Sequence, residues 1–145
     1  KGITLAADLQ GQFGNEIYNA KNQTRFGVYN FESRVKDRWN GAGTSTTEPD
    51  LDGQAGNYQP SDYFIEDGSY IRIRSLSLSY DLPERLLKNM GFNALRIYLR
   101  GNNVVTFSDY SGYSPDIGGG ALSSGIDTGV YPVTQAYTLG LNVTL

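Results

Sequence analysis

The last ten residues, AYTLGLNVTL, alternate without a break. Tyr137, Leu139, Leu141, Val143 and Leu145 fall on one parity, and Ala136, Thr138, Gly140, Asn142 and Thr144 on the other. Such alternation predicts a β-strand with two unlike faces. The segment ITLAADLQGQF repeats it, with Ile3, Leu5, Ala7, Leu9 and Phe13 opposite Thr4, Ala6, Asp8, Gln10 and Gln12. In YIRIRSLSLSY, Leu76, Leu78 and Tyr80 oppose Ser75, Ser77 and Ser79. Ile71 and Ile73 have the other parity there, so either a bulge intervenes or the strand leaves the apolar layer. In LRIYLRGNNVVTF, Leu95, Ile97, Leu99, Val105 and Phe107 oppose Arg96, Tyr98, Arg100 and Asn102. Four strands of about ten residues are predicted, the length of a tilted membrane-crossing strand and long for a small soluble domain. The last apolar face runs to the final residue, where chains ordinarily fray. Its cover is either the core of a soluble sandwich or the hydrocarbon of a membrane.

The connections alternate in length. Residues 14–69 join the first two segments, residues 81–94 the next two, and residues 108–135 the last two. Short periplasmic turns and long outer loops are the asymmetry of outer-membrane barrels. It would place residues 14–69 and 108–135 outside and residues 81–94 in the periplasm. In DLPERLLKNMGFNA, Pro83 can open a short helix, Leu86, Leu87 and Met90 give it an apolar side, and Gly91 can stop it. NFESRVKDRW predicts a second short helix, and NGAGTSTTEPDLDGQAGNYQPSDY carries turn residues that disfavour regular structure. No repeat or domain boundary is evident, so residues 1–145 are read as one unit.

Composition narrows the chemistry. The 145 residues include 18 Gly, 11 Tyr and 6 Phe but no Cys and no His, which suits a turn-rich β protein. A disulfide framework, a Cys nucleophile, a His-based triad and a His-ligated metal are excluded within the chain. The net charge is −3 and the basic residues are scattered, which argues against a nucleic-acid partner. No stretch approaches the ~20 apolar residues of a spanning helix, but a barrel hides its apolar face in alternation. Lys1 is followed directly by a strand-like segment and not by a secretory leader. The expectation is a cytosolic protein or a chain that is not the start of its gene product.

Several motif lookalikes fail. DLDGQAG from Asp50 suggests a calcium loop, but Ala55 stands where an EF-hand needs Gly. The GGG at Gly118 follows no strand and opens no helix, so it cradles no phosphate. NQT and NVT match a glycosylation acceptor, yet Asn142 lies inside a strand. Glu66 and Asp67 are adjacent, which points them apart in an extended chain and ill suits paired acid/base work. No cofactor is implied.

FIEDGSYIRIRSLSLSYDLPERLLKNMGFNALRIYLRGNNVVTFSDYSGYSPDI, followed by GIDTGVYPVTQAYTLGLNVTL, resembles the C-terminal end of the SusC/RagA family of TonB-dependent outer-membrane transporters of Bacteroidota. QGQFGNEIYNA and RVKDRWNGAGTSTTEPDL resemble the preceding strand and loop, so the resemblance spans essentially the whole chain. It implies an all-β fold: four antiparallel strands of a large transmembrane barrel, with long extracellular loops and a short helical periplasmic turn. It also implies a part of an importer of glycans or peptides, not an enzyme. The implied partners are a SusD-like lipoprotein lid, TonB acting through parts of the transporter outside this chain, and outer-membrane lipid. Family members commonly end in an aromatic residue, whereas Leu145 ends this chain, and the signal peptide, plug, TonB box and most of the barrel are not in it. Four strands close no barrel, since about eight are needed for even a filled interior.

On that reading Trp39, Tyr58 and Tyr63 in the first long loop, and Tyr110, Tyr113, Asp116 and Asp127 in the second, are candidate substrate contacts. Sugars stack on aromatic rings and hydrogen-bond carboxylates; the bland alternative is that these residues pack their loops. Arg96, Tyr98 and Arg100 fall on the lumen face, either as solvated wall or as partners for acidic groups of the plug, and Tyr80 and Tyr137 suit the interfacial girdles. The competing class is a soluble β-sandwich carbohydrate-binding module, in which every apolar face meets another in one core. An enzyme fragment has no convincing catalytic set.

Overall fold

The computed structural model describes residues 2–24, 32–50, 56–57, 59–88 and 91–145. Its strands are β1 (Ile3–Gln12), β2 (Glu16–Tyr18), β3 (Ile65–Asp67), β4 (Tyr70–Asp81), β5 (Ala94–Ser108) and β6 (Ala136–Thr144). The four alternating segments form one antiparallel sheet in the order β1-β4-β5-β6, so each strand lies beside its predecessor in the predicted series. β2 and β3 pair separately as a two-stranded ribbon.

The registers turn four alternating patterns into two continuous faces. Ile3, Tyr80, Ile97 and Leu141 form one rung, and Leu5, Leu78, Leu99 and Leu139 the next. On the opposite face Thr4, Ser79, Tyr98 and Gly140 form one rung and Ala6, Ser77, Arg100 and Thr138 another. The parity break in YIRIRSLSLSY is a bulge. Asp8 pairs with Ser75 and Leu9 with Ile73, leaving Arg74 as the extra residue, while β5 places both Asn103 and Val104 opposite it. Asn103 takes a left-handed φ of 50°, a conformation Asn tolerates better than most residues. The slip returns Ile71 and Ile73 to the apolar face, beside Phe107 and Val105.

Nothing among the described residues covers that face. Leu5 is 67% exposed, Leu139 74% and Leu141 63%. A sandwich needs a facing sheet with strands of comparable length, and β2 and β3 have three residues each. The buried apolar side chains lie elsewhere: Ile17, Ala20, Phe64, Tyr70 and Tyr110 at the end carrying the long loops, and Leu87 in the short connection.

That connection contains helix α2 (Glu84–Leu87), counting after α1 (Ala20–Thr24), with Pro83 extended as its N-cap. Gly91 takes a φ of 74° after it, as a helix stop requires. Leu87 is buried but Leu86 is exposed, so the expected apolar side narrows to Leu87, and Met90 lies outside the described residues. Of the helix expected in NFESRVKDRW, Asn30 and Phe31 lie outside the described residues, and the rest holds only a 3-10 turn, Ser33–Asp37, without a side-chain cap or a buried residue. Val35 is only half-buried and Trp39 is exposed, so the apolar side of the segment lacks the tertiary packing that sustains short helices.

Candidate functional site

The two long loops are joined by a buried knot. β2 is too short to hold its place alone, and the second loop completes it: the Tyr18 N–H donates to the Gly125 carbonyl at 2.8 Å, and the Asp127 N–H to the Tyr18 carbonyl at 2.9 Å. The Lys21 N–H then donates to the Asp127 carbonyl at 2.8 Å. Beside this ladder Asn19, fully buried, donates through Nδ2 to Glu66 Oε1 at 2.7 Å and to Ser111 Oγ at 3.2 Å. Glu66 also accepts from the Ser111 N–H and hydroxyl, both at 2.8 Å.

Asp127 is 1% exposed and accepts from the Tyr110 hydroxyl at 2.6 Å and from the N–H groups of Gly129 and Val130 at 2.7 and 2.9 Å. Burial pushes its carboxyl up, but these hydrogen bonds and the nearby Lys21 outweigh it and hold the carboxyl below its ordinary range. Burial, then the bond to Asp127, pushes the Tyr110 phenol far up. The two residues meet, but as each other's partners inside the loop packing. Lys21 links the knot outward: its Nζ lies 2.9 Å from Glu32 Oε1 and 5.1 Å from the centre of the Tyr113 ring. Tyr113 itself is 63% exposed. Nothing in the sequence marks Asn19 and Lys21, because single polar residues carry no periodic signal, and Glu66, ill suited to acid/base work beside Asp67, serves instead as the acceptor at the centre of the knot.

Asp116 goes to the sheet. Arg72, buried on the polar face, donates through Nη1 to Asp116 Oδ2 at 3.0 Å, through Nε to Thr106 Oγ1 at 2.9 Å and through Nη2 to Ser114 Oγ at 3.4 Å. The second loop is thereby held against the top of the polar face. Lower down, Arg96 pairs bidentately with Asp81 at 2.6 and 3.0 Å, so its carboxylate partner is within the chain. A Cβ on Gly140 would collide with the Tyr98 ring, which lies over that glycine.

Trp39 and Tyr63 come together across an open groove of about 710 Å³ in the first loop; Tyr58 lies outside the described residues. A closed turn fixes Trp39: its N–H donates to the Glu48 carbonyl at 2.9 Å, and Thr44 Oγ1 accepts from the Asn40 N–H and donates to the Gly41 carbonyl, both at 2.7 Å. The Tyr63 hydroxyl donates to Glu48 Oε2 and accepts from Arg34 Nη1, both at 2.9 Å, and Arg34 Nη1 reaches the same carboxylate oxygen at 3.1 Å. Trp39 is 43% exposed, so its ring is available while its backbone is held.

No family model matches the chain. It is 30% identical over 154 residues to TonB-dependent receptor P26 of Formosa agariphila, a match covering 99% of this chain and 16% of that protein. It is 26% identical over 150 residues to TonB-dependent receptor SusC of Bacteroides thetaiotaomicron, covering 99% of this chain and 14% of that one. Among solved structures the RagAB peptide importer in its open-open state superposes with a TM-score of 0.77 at 26% identity, over 100% of this chain and 16% of the importer chain. The chain spans about 16% of the length of the receptor from Formosa. The resemblance carried by YIRIRSLSLSY and LRIYLRGNNVVTF therefore holds in sequence and in fold: nearly the whole chain is similar to one stretch of the TonB-dependent receptors of the SusC/RagA family.

Proposed function

We propose that the chain, residues 1–145 as one unit, is the C-terminal wall and outer mouth of a TonB-dependent nutrient importer in the outer membrane of a Bacteroidota-type cell. The observation that carries this is the two-faced sheet. Its rungs of Ile, Leu and Tyr point out uncovered, while its other face is built of Ser, Thr, Gly and paired arginines. Lipid on one side and an aqueous lumen on the other satisfy both faces. In lipid each unpaired backbone group costs several kcal/mol, so the outer edges of β1 and β6 must pair with further strands of the barrel.

In this reading the chain performs no bond chemistry. Residues 14–69 and 108–135 form the extracellular mouth and residues 81–94 a periplasmic turn. TonB delivers energy through other parts of the transporter, and a SusD-like lipoprotein closes over the mouth on a glycan or peptide. The name of the TonB-dependent receptor SusC supports the coupling to TonB, and that of the RagAB peptide importer supports import and a peptide as one of the two substrate classes. Of the candidate contacts, Trp39, Tyr63 and Tyr113 keep exposed ring surface, whereas Tyr110 and Asp127 act through loop geometry.

The test is a deletion in the full-length parent. Removing residues 117–124 spares the Arg72 contact of Asp116 and the Tyr18 contacts of Gly125 and Asp127. The variant should reach the outer membrane at the parent's level, with reduced uptake or reduced co-purification of the lid. Uptake and lid binding both equal to the parent's would contradict the role given to this loop.

A further inference from the structure

The first long loop carries a pair of residues with a reactivity of its own. Asn40 is followed by Gly41, whereas every other Asn in the chain is followed by a residue with a Cβ. A backbone nitrogen attacks the side-chain carbonyl of the residue before it most readily when no side chain of its own crowds the approach, and glycine leaves that nitrogen bare. Two Asp-Gly pairs present the same backbone to a carboxyl group: Asp52-Gly53, which lies outside the described residues, and Asp67-Gly68.

The fold treats Asp67-Gly68 and Asn40-Gly41 in opposite ways. The Gly68 N–H donates to the Asn15 carbonyl at 2.9 Å and Asp67 Oδ1 accepts from the Ser69 N–H at 2.8 Å, so attacking and attacked groups are both engaged. Gly68 is also packed, since a Cβ there would collide with the Asn15 amide and the Ile17 side chain. Asn40 is exposed, and among the described residues neither its side-chain amide nor the Gly41 N–H has a hydrogen-bond partner. A Cβ on Gly41 would meet nothing within 4 Å, so water has access. Gly41 takes a φ of 116°, so the turn itself requires the residue that bares the nitrogen.

We propose that Asn40 is a modification site at which the folded chain deamidates without an enzyme and forms isoaspartate. The Gly41 nitrogen bonds to Asn40 Cγ while its proton passes through water to Nδ2; the Cγ–Nδ2 bond breaks, and ammonia leaves a succinimide ring. Water then opens the ring. Attack at Cγ gives aspartate on the original backbone, and attack at the main-chain carbonyl carbon gives isoaspartate, whose backbone runs through Cβ and Cγ. Either product replaces a neutral amide by a carboxylate, and isoaspartate adds a methylene to the main chain. The turn is closed by the Asn40 N–H donating to Thr44 Oγ1 at 2.7 Å and the Trp39 N–H to the Glu48 carbonyl at 2.9 Å. A longer backbone between these bonds breaks their match, and Trp39 loses its anchor.

The experiment incubates the full-length parent, folded in detergent and unfolded in denaturant, at neutral and at mildly alkaline pH. After digestion in acid, the peptides containing Asn40 and Asp67 are weighed, and isoaspartate is identified with an isoaspartate-specific methyltransferase. Folded, Asn40 should convert within tenfold of its unfolded rate, and faster as pH rises because the attacking amide gives up its proton. Folding should slow isomerisation at Asp67 tenfold or more. Hydrogen exchange at the Trp39 amide should rise in the converted fraction, and Asn40→Gln, whose longer side chain closes the ring poorly, should abolish both product and rise. Asn40 that converts in denaturant but stays intact in the folded protein, or Asp67 that isomerises equally in both states, would overturn the proposal. Unchanged exchange at Trp39 in the converted fraction would overturn its consequence for the turn.

Discussion

Asp127 shows how one side chain shapes the outer loops. With the Tyr110 hydroxyl and two backbone N–H groups converging on it in a buried place, its removal strands donors that nothing else accepts. Hydrogen bonds to charged groups are worth about 1.5–3 kcal/mol each, and unpaired buried donors cost a similar amount. Asp127→Ala should therefore open the knot locally, raising hydrogen exchange at the amides of Tyr18 and Lys21 by tenfold or more with the sheet unaffected; unchanged exchange would remove Asp127 from this role. The pH dependence has a definite sign. The folded carboxyl titrates below its unfolded value, so its contribution is complete above the ordinary Asp range, about 3.9, and is lost as pH falls through the lower folded value. Protection at Tyr18, corrected for intrinsic rates, should hold from neutral to mildly acid pH and fall only in strong acid. A fall on the alkaline side would contradict it. Tyr110 and Asp127 stood out in the sequence as residue types, but that they face each other did not, because a loop's fold sets partners that spacing cannot.

The long strands were legible because period 2 runs unbroken through β1 and β6 and on both sides of the bulge in β4 and β5, and period 2 admits only one secondary structure. The bulge was legible as a parity break, but its resolution required neighbours, since Arg74 becomes the extra residue only against β1. β2, β3 and α1 are too short to show any period and exist through partners in distant loops. Two substitutions test this level in the refolded full-length protein. Asn103→Val forces a β-branched residue into the left-handed region, at about 1–2 kcal/mol, and forfeits the bond from Asn103 Nδ2 to the Thr134 carbonyl at 3.1 Å. Denaturant unfolding from vesicles should show that loss, whereas Asn103→Gly should lose less. Leu141→Arg should cost about 2–4 kcal/mol, the figure for a lipid-facing position at the midplane. Thr4→Arg, on the polar face, should cost far less; equal costs would mean the two faces do not meet different solvents.

At the scale of the whole molecule, the residues that alternate in sequence assemble rung by rung into one apolar and one polar face, while the buried core forms at one end, among the long loops. A soluble protein places its core behind its sheet; here the sheet's apolar face stays open and the core belongs to the loops. Ser123 is exposed in the second long loop, and Arg85 is exposed in the short helical connection at the other end. The full-length parent, which must lack other accessible thiols, is made with Ser123→Cys or Arg85→Cys and treated on intact cells with a membrane-impermeant maleimide. The chain has no native Cys to interfere. If the sheet crosses the outer membrane with its long loops outward, the thiol at position 123 is labelled and the one at position 85 reacts only after the membrane is broken. Labelling of position 85 on intact cells with position 123 protected, or equal labelling of both, would contradict it.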